Sequence, residues 1–144
     1  MERTSSMQEA EVMQINPVTL AFLGDAVFSL YVREQLVKSG KGKAGDLQRS
    51  AGQIVSAKGQ SEFLEKVLPL LTQEETDIYR RGRNAKKATK SKNASAGDYN
   101  RSTGFEAVLG YLYLTGRQGR IEELLSLIDE EKLKGVTAQK VYKP

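Results

Sequence analysis

The chain has 144 residues, 39% hydrophobic and 28% charged, with 22 Lys or Arg against 18 Asp or Glu. That is the size and balance of one globular domain with one core. It contains no cysteine and no histidine, which excludes disulfides, thiolate nucleophiles, Ser-His triads and zinc sites built on Cys or His.

With those groups gone, hydrolytic chemistry has to rest on carboxylates working with a hard divalent cation. The positive charge is unevenly placed. Residues 80–92, RRGRNAKKATKSK, hold seven basic side chains and no acid. Such a patch draws polyanions and gives salt-dependent binding; a plain solvated loop is the alternative reading.

In chain order, residues 1–15 are polar and mixed in charge. They read as a flexible N-terminal segment, not as a signal peptide. Asn16-Pro17 opens the first helix, because Asn caps well and Pro suits the first turn. Its apolar stripe, from Val18 through Phe22, Val27, Phe28 and Val32 to Leu36, is too wide for a surface helix, so a central element is expected. The most apolar stretch, 20–32, is too short to span a membrane and carries Asp25 at its middle. A cytoplasmic protein with no membrane partner is expected. Gly40 and Gly42 end the helix.

Two further helices are expected over 44–55 and 56–68, continuous or kinked, with Pro69 as the interruption. Thr72 and Glu75 form a capping box that opens a short helix ending near Gly82. Residues 82–98 lack apolar periodicity and read as a basic loop. A strong helix over 99–114 and an amphipathic one over 120–131 follow, then a tail, 132–144. No strand pattern, repeat or linker is found. The fold class is all-α, a helical bundle over residues 16–131.

Two acids sit among apolar neighbours. Asp25 has Ala21, Phe22, Phe28 and Ser29 three or four residues away on its helix, so partial or full burial is expected. Burial of a charge demands a hydrogen bond, a basic partner or a metal. Glu106 lies between Phe105 and the run Val108-Leu109. Gly24 stands beside the first acid, and Gly104 and Gly110 flank the second. Glycine inside a helix costs about 1 kcal/mol relative to alanine, which points to close packing or to an approaching ligand. If the two helices pack together, the acids can share one divalent cation.

At AFLGDAVFSLYVR and STGFEAVLGYLYL the sequence resembles the ribonuclease III family, in order and spacing, over about residues 16–114. The family's first motif typically reads E-x-x-E-F-L-G-D-A, matched here by Phe22-Leu23-Gly24-Asp25-Ala26. The second typically reads D-x-F-E-A-L-x-G, matched by Thr103 to Gly110. Only Asp25 and Glu106 carry over as metal-binding, catalytic acids; Val18, Ala21 and Thr103 stand where the family has carboxylates. The reduced motif, the segment Arg81-Gly82-Arg83-Asn84-Ala85-Lys86 and the lack of room for a double-stranded-RNA-binding domain resemble the short, dimeric Mini-III branch.

The resemblance implies a Mg2+-dependent endoribonuclease for double-stranded RNA, leaving 5′-phosphate ends and maturing the large-subunit (23S) ribosomal RNA precursor. Lys58, Arg81, Arg83, Asn84, Lys86, Lys87, Lys90 and Lys92 are the candidate RNA-binding residues. Phosphate contacts would set register, and duplex shape and 2′-hydroxyls would mark RNA. Ser102 and Thr103 either bond a metal-held water or cap a helix, with capping favoured. Cutting both strands of a duplex calls for two sites, so a homodimer is expected; the apolar surplus of the 16–38 helix fits a subunit interface or a plain core. The alternative function is a catalytically silent RNA-binding or ribosome-associated protein on the same fold.

Overall fold

The computed structural model describes residues 6–40, 42–87 and 95–128. Among them are seven α-helices and no strand, which bears out the all-α class. They are α1 (Glu9–Met13), α2 (Pro17–Lys38), α3 (Ala44–Val55), α4 (Ala57–Val67), α5 (Gln73–Asn84), α6 (Ala96–Leu114) and α7 (Gln118–Leu125), with a 3-10 turn at Leu68–Leu70.

Side-chain caps set most of the starts. Asn16 Oδ1 accepts from the Val18 amide at 2.8 Å, with Pro17 in the first turn of α2. Ser56 separates α3 from α4 and caps the latter by accepting from the Gly59 amide at 3.0 Å. The Thr72–Glu75 capping box forms in both directions, at 3.1 and 2.9 Å. Ser95 caps α6 through the Asp98 amide at 3.0 Å, so this helix begins three residues before the expected start. At its other end Gly116 takes a left-handed φ of 75°.

Three expectations need correction. Residues 1–15 are not all a flexible segment: Glu9–Met13 is helical, Val12 is buried, and the Met7 amide donates to Leu114 O at 2.8 Å. The α5 helix does not end near Gly82 but runs to Asn84. A Cβ on Gly82 would lie 2.9 Å from Gly104 Cα, so this glycine lets α5 and α6 touch and does not break a helix. The loop expected over 82–98 is correspondingly shorter at both ends.

The α6 helix is the hub, packed against α1, α2, α4, α5 and α7. It buries residues around most of its circumference, from Ser102 to Leu112. Phe28 of α2, Phe63 of α4 and Phe105 of α6 meet in one aromatic junction with ring centroids 5.4–6.0 Å apart. At the N-terminal end of α5, Arg120 makes two bonds to the buried carboxylate of Glu75, at 2.9 and 2.8 Å. Glu74 accepts from Tyr111 Oη at 2.6 Å and from Arg117 at 3.1 Å. These pairs clamp α5, α6 and α7.

The apolar stripe of α2 divides in two. Leu20, Ala21, Phe28, Val32 and Leu36 enter the core. Phe22, Leu30 and Val37 remain 84, 69 and 66% exposed. At 100° per residue these three lie within about 80° of one another around the helix. No described helix is long and apolar enough to cross a membrane.

Candidate active site

The site is built where α2 crosses α6. A Cβ on Gly24 would collide with the carbonyl of Glu106, and one on Gly110 with the carbonyl of Leu20. The two glycines therefore bring the backbones into direct contact. Close packing is the reason for glycine here, as at Gly104, where a Cβ would press on Tyr79. That contact sets Asp25, the residue after Gly24, beside the carboxylate of Glu106.

The aromatic junction lies directly beneath. Each of its three helices gives one ring to the core and at least one polar group to the same cavity. Asp25 precedes Phe28 by a helical turn, Gln60 precedes Phe63 by a turn, and Glu106 follows Phe105. The cavity holds about 350 Å³ and is lined on its polar side by Asp25, Gln60, Lys87, Ser102, Thr103 and Glu106.

Asp25 is not buried as expected but exposed, on the cavity wall, because the adjoining Phe22 side of α2 faces outward. Glu106 is partly buried. Burial first, and the hydrogen-bonded Asp25 carboxylate second, push its carboxyl up to about 8, against the lowering effect of the Gln60 hydrogen bond. Gln60 Nε2 donates to Glu106 Oε2 at 3.0 Å and to Val55 O at 2.9 Å. Sequence reading missed Gln60. The available signal was a polar residue on the core face of α4, in phase with Phe63, Leu64 and Val67.

Ser102 and Thr103 cap nothing. Both are buried inside α6, and both hydroxyls donate back to the Tyr99 carbonyl, at 2.8 and 3.0 Å. Ala21 and Thr103 line the cavity, so positions that carry acids in the family motif present a methyl and a committed hydroxyl here. Among the described residues no group of three or more acidic, His or Cys side chains gathers.

A sequence-family model for the Ribonuclease III domain matches residues 18–117, from the first turn of α2 to just past the end of α6. The chain belongs to the ribonuclease III family. It is 44% identical to the Mini-ribonuclease 3 of Symbiobacterium thermophilum, over 83% of this chain and 92% of that one. It is 46% identical to the Mini-ribonuclease 3 of Brevibacillus brevis, over 76% and 82%. A crystal structure of a Fusobacterium nucleatum protein superposes with a TM-score of 0.73 at 26% identity, covering 83% of this chain and 95% of that one. The relatives' shared name agrees with the Mini-III resemblance of the two motifs.

In this ribonuclease III domain the described candidate RNA-binding residues fall into three groups. Lys58, Arg81, Asn84 and Lys86 are exposed. Arg83 is half-buried, with its guanidinium 5.6 Å from the Tyr79 ring centroid and its Nε donating to Asn84 Oδ1 at 3.1 Å. Lys87 turns inward: its ammonium donates to the carbonyls of Gly82, Arg83 and Ala85 at 2.9, 3.1 and 2.7 Å. It satisfies the orphan carbonyls at the end of α5, and burial lowers its pKa. Lys90 and Lys92 lie outside the described residues.

Proposed function

We propose that this ribonuclease III-type protein is a Mg2+-dependent endoribonuclease that cleaves double-stranded RNA as a homodimer. The observation that carries the reading is the pair Asp25 and Glu106, brought together by backbone contact at the edge of an open cavity. Two carboxylates within hydrogen-bonding reach, with a raised pKa on the buried one, are a site short of positive charge. A hard cation that takes one or two carboxylates and completes its shell with water and phosphate oxygens fits that donor set. Asp25 and Glu106 would hold it, and it would supply Lewis-acid stabilisation and a nucleophile at neutral pH.

The chain's own residues do the rest. Glu106 gives a fixed carboxylate, held on one oxygen by Gln60. Asp25, exposed on the outer wall, gives the second and faces incoming substrate. The exposed Lys58, Arg81 and Lys86 give phosphate contacts, and Arg83 and Asn84 support them from the last turn of α5. The outward apolar stripe of α2 at Phe22, Leu30 and Val37 supports a self-complementary dimer contact, which would set two sites for two strands. The Mini-ribonuclease 3 names of the relatives support the nuclease class. We assign the bacterial 23S ribosomal RNA precursor as substrate and the cytoplasm as location on the family resemblance.

The test is cleavage of long double-stranded RNA with and without Mg2+, by the wild type and by Asp25→Asn. We expect Mg2+-dependent cutting with 5′-phosphate ends, reduced at least about a hundredfold in a folded Asp25→Asn protein. Duplex binding without cutting by either protein would instead make this a silent RNA-binding module.

A further inference from the structure

Gln60 is 1% exposed and stands on the core face of α4 with Phe63, Leu64 and Val67. Its neighbours on that face are apolar, and a leucine or methionine would fill the position with no polar atom to satisfy. The amide instead spends both N–H groups, one on Val55 O and one on Glu106 Oε2. Its Oε1 is buried and finds no hydrogen-bond partner in the protein. Native folds seldom leave such an atom unpaired without a reason.

The orientation is forced. Turning the amide over would set Oε1 against the Val55 carbonyl, which cannot donate, and leave that acceptor without a partner. The fold thus keeps a buried, unpaired carbonyl so that an NH2 group faces Glu106. Beyond its bond to the Val55 carbonyl, nothing else about the position calls for an amide. Gln60 also joins the pattern of the aromatic junction, in which each of three helices sends a polar group into the cavity beside its ring, and among Asp25, Gln60 and Glu106 it alone cannot ionise.

We propose that Gln60 is a positioning residue: it grips Glu106 by Oε2 and fixes the plane of that carboxylate, so that the cation is met in one geometry together with Asp25. This rests on the nuclease reading above. The anchor runs from the Val55 carbonyl at the end of α3 through the Gln60 amide to Glu106 on α6, so three helices fix one carboxylate. An outer group of this kind typically changes metal affinity or activity by about 10–100-fold when removed.

The test uses the full chain as wild type, Gln60→Leu and Gln60→Met. Both variants keep the volume and remove the donor. Binding of Mn2+ alone is measured by calorimetry, and cleavage of double-stranded RNA is followed across a range of Mg2+ concentrations. We expect cation affinity to fall about tenfold or more. We expect kcat to fall at fixed Mg2+ and to recover partly at higher Mg2+, with KM for RNA unchanged. Melting temperature should fall modestly while the fold is kept, since Val55 O and Glu106 Oε2 lose their donor and the removal of the unpaired Oε1 offsets only part of that loss.

Variants that bind Mn2+ and cut RNA like an active wild type would overturn the positioning role and leave the nuclease reading standing. A wild type that takes up no cation and cuts no RNA would overturn that reading and this proposal with it. Loss of folding in both variants would make Gln60 a structural residue and also overturn the proposal.

Discussion

Glu106 is an acid whose carboxyl is pushed by burial well above the ordinary range. In cation-free protein its carboxyl holds a proton to about pH 8, against an ordinary value of 4.5. Between those values the folded state binds more protons than the unfolded state, so stability falls as pH rises. Thermal melts in chelator from about pH 5 to about pH 8 should show that decline, and Glu106→Gln should remove this part of it. A divalent cation should reverse the trend, since it competes with the proton for the same oxygens. Both acids were legible in the sequence, because a carboxylate inside an apolar stripe stands out. The burial of Asp25 was misread: an apolar stripe does not say whether one face of it meets solvent, and Phe22 faces outward. Gln60 was missed because an uncharged polar residue breaks the periodicity less visibly than a charge does.

The element that decides the site is the α2–α6 crossing. Gly24→Ala would drive a methyl into the backbone of Glu106, which no rotamer change can relieve. A loss near the upper end of the overpacking range, about 3 kcal/mol, is expected in denaturant titrations. Gly52→Ala, where nothing stands within 4 Å, should instead stabilise α3 by about 0.5–1 kcal/mol. Helix starts were legible where a side chain makes the cap, as at Asn16 and Thr72. They were less so at α6, where the cap, Ser95, sits in a run of small polar residues with several candidates. The end of α5 was misplaced because Gly82 reads equally as a terminator and as a contact residue, and only its partner, Gly104, tells them apart.

For the whole molecule, the question left open by the sequence was whether the apolar surplus of α2 serves core or interface. The structure divides it between the two faces of the helix. Leu30→Glu with Val37→Glu should leave the core intact and shift the protein to a monomer by light scattering, with at least about a tenfold loss of double-strand cleavage. An unchanged mass would separate that face from assembly. The central position of α6 has a further consequence. Glu106 stands on the helix that most of the others lean against, so its side of the cavity opens only when the domain itself comes apart. Asp25 stands on the exposed side of α2, one residue from the Gly24 contact that holds α2 against α6. The two acids are thus carried on walls pinned together at the Gly24 and Gly110 contacts. The spacing of the two carboxylates is set by a backbone crossing and changes only if that crossing opens.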